Sequence, residues 1–265
     1  MTKRHSLALH AELSTSEIQM NTGTASDIRI LENDAEVARA AANCFVDVAL
    51  SSISALGRFS VVLSGGSTPR RTYELLATKD YRNRIAWPKV HIFFGDERCV
   101  PPTDATSNYR MADEAMISRL PIPAQNIHRM VGEGDAVANA SLYQSDLQTF
   151  FDEAPWPRFD LVLLGMGDDG HTASLFPGTS AINERNAWVL ANWVEKVNAY
   201  RITLTPPAIN HAANVLFLVT GAGKTKSLSQ VLRGARDPKK LPAQLIRPKD
   251  GSLTWLVDKS AAGDL

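Results

Sequence analysis

The chain has 265 residues, 44% hydrophobic and 21% charged, with 28 basic side chains against 28 acidic ones, which excludes an intrinsically disordered chain. Zero formal net charge supplies no overall field to draw in DNA, RNA or an anionic lipid surface, so neither nucleic acid nor membrane is an expected partner. Two cysteines, Cys44 and Cys99, cannot build a disulfide framework, no C-x-x-C pair indicates zinc, and no run of about 18 apolar residues marks a membrane span, so a soluble cytoplasmic protein is expected.

Residues 1–27 mix Ser, Thr, Glu and His without an apolar block of signal-peptide length and read as a flexible leader, followed by a single domain over 28–265. From 33 to 56, Val37, Ala41, Cys44, Phe45, Val48 and Leu56 recur at helical spacing, and Asn33 with Glu36 has the form of a capping box. The β-branched run 60–63 predicts a strand ending in Ser64-Gly65-Gly66-Ser67-Thr68-Pro69. A helix carrying Tyr73, Leu75 and Leu76 then follows, with Thr68 as its N-cap and Pro69 as its first residue. Runs 90–94, 159–164, 188–191, 215–219 and 254–257 read as further strands with helical stretches between most of them, and 101–102, 155–157 and 234–242 read as loops. Apolar strands without strict alternation, separated by helix-length segments, imply an α/β fold: an open, mostly parallel, Rossmann-like sheet with helices on both faces. In such sheets ligands sit beyond the carboxyl ends of the strands.

Several strand ends carry chemistry. In the 64–69 turn the glycines let backbone N–H groups approach an anion, which suits a phosphate, although an ordinary tight turn has the same composition. Gly221-Ala222-Gly223-Lys224-Thr225 fails the Walker A register, because the required earlier glycine is Leu218, yet Lys224 can still meet a phosphate as a point charge. Gly165-Met166-Gly167-Asp168-Asp169-Gly170-His171 matches G-x-G-x-x-G literally, but its two carboxylates would repel a pyrophosphate. General base catalysis fits it better, with His171 taking a proton from water and Asp169 or Asp168 orienting the ring; an Asp- and Gly-rich turn with a structural histidine is the plainer alternative. A metal held by Asp168, Asp169 and His171 is disfavoured, since no second histidine lies at ligand spacing. Arg98 and Arg201 are either phosphate ligands or surface ion-pair partners. His91, His128 and His211 read as structural, and no G-x-S-x-G elbow indicates a serine hydrolase.

Taken together, three segments resemble the 6-phosphogluconolactonase family, in the right order and over roughly residue 28 to the C-terminus. They are 64–69, Phe94-Gly95-Asp96-Glu97-Arg98 with Val100-Pro101 and Ser107-Asn108-Tyr109, and 165–177 ending Ser174-Leu175-Phe176-Pro177. The glucosamine-6-phosphate deaminases, which share that family's fold, differ at two points. They carry Asp-Glu-Tyr in place of Asp96-Glu97-Arg98, and Phe-Asn-Glu-Pro in place of 174–177, whose glutamate partners the histidine in ring opening. The resemblance implies a hydrolase of 6-phospho-D-glucono-1,5-lactone in the oxidative pentose phosphate pathway, needing no cofactor or metal. On that reading Gly65, Gly66, Ser67 and Thr68 cradle the phosphate with Arg98 and Lys224, Arg201 lines the pocket, and His171 deprotonates water with Asp169 supporting it. The small-molecule substrate is the expected partner and a monomer the expected form. Two rivals stay open: an isomerase–deaminase, and a non-catalytic sugar-phosphate-binding module using the same cradle.

Overall fold

A computed structural model of the chain describes residues 18–22, 26–263 and 265. Strands β1 (Ile18–Thr22) and β2 (Ser26–Leu31) precede the long helix α1 (Asp34–Leu56). The N-cap half of the capping box is built as its residue types require: the Asn33 side chain accepts the Glu36 N–H at 3.1 Å, while the Glu36 carboxylate lies 3.6 Å from Arg39. At the other end Gly57 turns left-handed, φ 74°, and its N–H closes the last turn on Ile53 O. Next come β3 (Phe59–Leu63), α2 (Ser67–Leu76), α3 (Lys79–Arg82), β4 (Val90–Phe94), β5 (Asp96–Arg98), α4 (Asn108–Ala115) and α5 (Ala136–Phe150). The second half runs β6 (Leu161–Leu164), β7 (Val189–Val194), β8 (Ala199–Leu204), α6 (Pro206–Asn210), β9 (Asn214–Val219), α7 (Thr225–Arg233), β10 (Ser252–Asp258) and α8 (Lys259–Ala262).

Seven strands make the main sheet in the order β1-β2-β10-β9-β6-β3-β4, all parallel except β1, which runs antiparallel to β2. Every residue of β3 and β6 is buried, which is why these segments, Ser60 apart, are apolar instead of alternating. Across β9 and β10 the register partners Phe217 and Trp255 stack at 3.8 Å with planes 3° apart. Strand β3 leads on to its neighbour β4 on one side, whereas β6 leads on to β9 on the other. The carboxyl ends of β3 and β6 therefore flank the point where connections diverge, the place where an open parallel sheet leaves a crevice. Among the described residues no helix is long and apolar enough to cross a membrane.

The fold departs from the sequence expectations at four places. The 188–191 run belongs to β7, which is not in the parallel sheet but pairs antiparallel with β8, and β8 pairs in turn with β5 in a separate three-stranded sheet. A connection of only four residues, turning on Asn198 at φ 46°, joins β7 to β8, and so short a link admits only a hairpin. Helix α2 starts at Ser67 with Gly66 (φ 110°) as its N-cap, so Thr68 lies inside the first turn. The Thr68 hydroxyl meets Thr220 Oγ1 at 2.7 Å, so it ties the helix start to the loop after β9 instead of capping. Residues 26–31 form a strand that their sequence did not predict. Residues 18–22, read as part of the leader, are its antiparallel edge partner, and residues 1–17 lie outside the described residues.

One buried carboxylate pins β3 to β6 at their amino ends, opposite the crevice. Asp160 Oδ2, just before β6, accepts both the Ser60 N–H and the Ser60 hydroxyl of β3, each at 2.7 Å. Asp160→Ala strands both donors in the core and should cost about 2–3 kcal/mol. Urea unfolding at neutral pH would show this as a lowered midpoint with an unchanged m-value.

Candidate active site

The turn after β3 is shaped by what it touches. A Cβ on Gly65 would overlap Asn108 Oδ1, so only glycine lets this backbone lie against the start of α4. Asn108 is held in place by Nδ2 donation to Asp96 O (2.9 Å) and Asp96 Oδ1 (3.3 Å), while Asp96 Oδ2 accepts the Ser174 hydroxyl at 2.6 Å. Glu97 accepts the N–H groups of Arg98 (2.7 Å), Asn108 (2.8 Å) and Tyr109 (2.8 Å) and the Ser107 hydroxyl at 3.0 Å. Burial pushes its carboxyl above the usual range, against the pull of those three backbone donors. The acidic pair of the Asp96-Glu97-Arg98 motif thus locks β5 to α4 and to the 172–176 segment, and only Asp96 and Arg98 reach the cleft wall.

Four cations border that cleft, Arg98, Lys196, Arg201 and Lys224, and three of them lack a carboxylate partner among the described residues. Arg98 and Arg201 are register partners across β5 and β8, so two guanidinium groups stand opposite one another. Burial and the neighbouring Arg98 charge both lower the pKa of Arg201. Arg98 donates to Thr106 O and Arg201 to Tyr200 O at 3.1 Å, and neither forms an ion pair among the described residues. Like charges placed opposite each other destabilise a sheet unless an anion lies between them. Lys224 comes from the loop after β9, where Gly221 turns at φ 93° and its N–H meets the Asp258 carboxylate at 3.0 Å. It too has no ion-pair partner among the described residues. Gly65 and Gly66 share the cleft with these cations, whereas Ser67 and Thr68 do not line it. Ser67 is exposed at the helix start and the Thr68 hydroxyl is taken by Thr220, so of residues 65–68 only the two glycines face the cleft.

Across the cleft, the segment after β6 folds back on itself through the Gly167 N–H to His171 O (2.8 Å) and the Gly170 N–H to Gly167 O (3.1 Å), with Gly170 at φ 75°. Asp169 Oδ1 lies 2.5 Å from His171 Nδ1 and accepts the His171 N–H at 3.2 Å. Asp169 Oδ2 accepts Lys196 Nζ at 2.7 Å. Burial acts to raise the Asp169 carboxyl, but the hydrogen bonds from Lys196 and His171 and the imidazole charge prevail and hold it at about 2. An ionised carboxylate only accepts, so in the neutral imidazole Nδ1 carries the proton and Nε2 is the acceptor, with no partner among the described residues. Phe176 stacks on the ring at 4.0 Å and 19°, and a Cβ on Gly167 would overlap the ring. Asp169, not Asp168, therefore makes the imidazole contact; Asp168 is exposed, 3.9 Å from Lys196. Among the described residues no group of three or more His, Cys, Asp or Glu side chains is arranged to hold a metal.

The open cleft of about 380 Å³ brings together Gly65, Gly66, Arg98, Arg201, Lys224 and His171, with Asp169 directly behind the imidazole. A family model described as "Glucosamine-6-phosphate isomerases/6-phosphogluconolactonase" matches residues 32–255. The chain belongs to this family. Curated relatives include the 6-phosphogluconolactonases of Nostoc sp., 43% identical over 81% of this chain and 88% of that protein, and of Synechocystis sp., 39% identical over 91% and 99%. Among solved structures, the 6-phosphogluconolactonase from Trypanosoma brucei superposes with TM-score 0.79 at 31% identity, covering 90% of this chain and 98% of that one. A monomeric glucosamine-6-phosphate deaminase superposes with TM-score 0.76 at 19% identity, which shows the shared fold alone.

Within this glucosamine-6-phosphate isomerase/6-phosphogluconolactonase family fold, the 174–177 segment is occupied in a particular way. Ser174 is buried on Asp96 and Phe176 packs on the imidazole, so no second carboxylate contacts His171 among the described residues. Sequence reasoning missed Lys196, an ordinary charged residue in the β7–β8 connection, for which no sequence signal exists. Asn108, Ser174 and Phe176 stood inside the resembling segments, but nothing in the sequence showed what they touch.

Proposed function

We propose that this chain hydrolyses 6-phospho-D-glucono-1,5-lactone to 6-phospho-D-gluconate, the second step of the oxidative pentose phosphate pathway, with His171 as general base. The observation that carries the reading is a bare imidazole nitrogen, backed by an ionised Asp169, in one cleft with three cations that lack carboxylate partners. The glycine turn with Arg98, Arg201 and Lys224 binds the phosphate, using binding energy remote from the reacting carbon to align the sugar. Water attacks the lactone carbonyl while His171 Nε2 takes its proton. Collapse of the tetrahedral intermediate breaks the ring C–O bond, and the imidazolium returns the proton to the departing alkoxide. A lactone is an activated ester with a tethered leaving group, so this route needs no covalent nucleophile.

The half-buried free thiols of Cys44 and Cys99 fit a reducing cytosol. The test is lactone hydrolysis followed against the spontaneous rate, with ammonia release from glucosamine 6-phosphate as the control for the deaminase rival. No acceleration of lactone opening, with phosphosugar binding intact, would leave only a binding module. Arg98→Ala and Arg201→Ala each remove a charged contact of about 2 kcal/mol, so each should raise KM roughly tenfold or more. The same assay on unphosphorylated gluconolactone should show little difference between these variants and the parent.

A further inference from the structure

The β7–β8 hairpin serves both ends of the cleft. Strand β8 presents Arg201 to the phosphate side, while Lys196 and Val197 at the turn line the cleft beside His171. Below the turn, Trp193 and Tyr200 pack edge to face at 5.1 Å across the hairpin. This bracing places Lys196 Nζ 2.7 Å from Asp169 Oδ2. We propose that Lys196 is a positioning residue for the base, its ammonium fixing the Asp169 carboxylate against His171 Nδ1. The inference rests on the lactonase reading of the same cleft.

The argument follows from the two oxygens of Asp169. Oδ1 takes both N–H donors of His171, and Oδ2 takes Lys196. With only one oxygen anchored, the carboxylate can turn about its Cβ–Cγ bond and let the imidazole leave its place over Gly167. With both anchored, the ring plane and its tautomer are fixed together. Among the described residues Lys196 is the only lysine or arginine in ion-pair contact with Asp169. Asp168, Lys226, Asp237 and Lys240 line a second, separate cavity that Asp169 also borders, and Arg98, Arg201, Lys224 and Asp96 share the cleft with the imidazole. Removing the Lys196 charge leaves Asp169 unbalanced beside the ring, which favours the imidazolium and so holds back the base.

The experiment compares wild type, Lys196→Met and Lys196→Arg in lactone hydrolysis across pH. Lys196→Met should lower kcat about tenfold to a hundredfold, less than loss of the base itself, with KM changed little because the phosphate contacts remain. Its acid limb of kcat/KM should move to higher pH, and Lys196→Arg should restore most of the rate and the limb. A loss of rate with the limb unmoved and a lowered Tm would overturn the proposal in favour of a structural strut, as would an unaltered Lys196→Met. Proton NMR reads the same point without turnover: a downfield Nδ1 proton, assigned by its loss in His171→Ala, should weaken in Lys196→Met and persist in Lys196→Arg. An unchanged signal in Lys196→Met would also overturn the proposal. A wild-type protein that fails to hydrolyse the lactone but shows this pattern would overturn the lactonase reading while leaving the positioning role of Lys196 standing.

Discussion

His171→Ala should lower kcat/KM for 6-phosphogluconolactone by about two to four orders of magnitude, the usual contribution of a well-placed general base. The fold should survive, because the side chain is partly exposed and the Lys196–Asp169 pair that faces it does not depend on the ring. Binding of 6-phosphogluconate should persist, since the glycine turn, Arg98, Arg201 and Lys224 lie on the opposite wall. Stopped-flow hydrolysis and product titration on the same preparation separate the two effects. The lactone opens slowly unaided, so the measured rate should fall toward that background. Near-full activity would remove His171 from the mechanism, and loss of product binding along with the rate would mean that the variant had disturbed the cleft as a whole.

Gly167→Ala should cost about a hundredfold in kcat without removing any reacting group. The backbone at Gly167 lies outside the left-handed region, so alanine adopts it without torsional strain. The added methyl would nevertheless occupy the space of His171 Nδ1 and Cε1 and crowd Asp169 Oδ1, forcing the ring off its carboxylate partner. KM should change little, because the displaced group stands away from the phosphate cations. Gly65→Ala supplies the contrast: its methyl would collide with Asn108, which is held on Asp96 at the cradle side, and should act mainly on KM. Unaltered turnover in Gly167→Ala would show that the placement of the imidazole over this glycine does not matter.

Much of this was written in local sequence. Asn33, Glu36 and Gly57 mark the bounds of α1 because capping depends on side chains within a few residues of the helix end. The largely apolar, non-alternating character of 60–63 and 159–164 announced buried parallel strands, since a strand covered on both faces has no solvent-facing polar side to show. The turn glycines and the Asp169-Gly170-His171 cluster were legible for the same reason, being contiguous in the chain. The second sheet was not, because β5 and β8 are about a hundred residues apart and nothing in a three-residue strand names its partner. Thr68 was misread as a cap because its true partner, Thr220, is 152 residues away.

By itself, the sequence determined an α/β protein with a glycine turn suited to phosphate and a histidine–aspartate pair suited to proton transfer, since propensity, capping and periodicity act over a few neighbouring residues. Only the tertiary structure decided which groups converge. Strand order brings the ends of β3 and β6 side by side, antiparallel pairing sets Arg98 against Arg201, and the β7–β8 hairpin carries Lys196 to Asp169. These contacts join segments distant along the chain, and their energies depend on distance and burial in space, which no local pattern encodes.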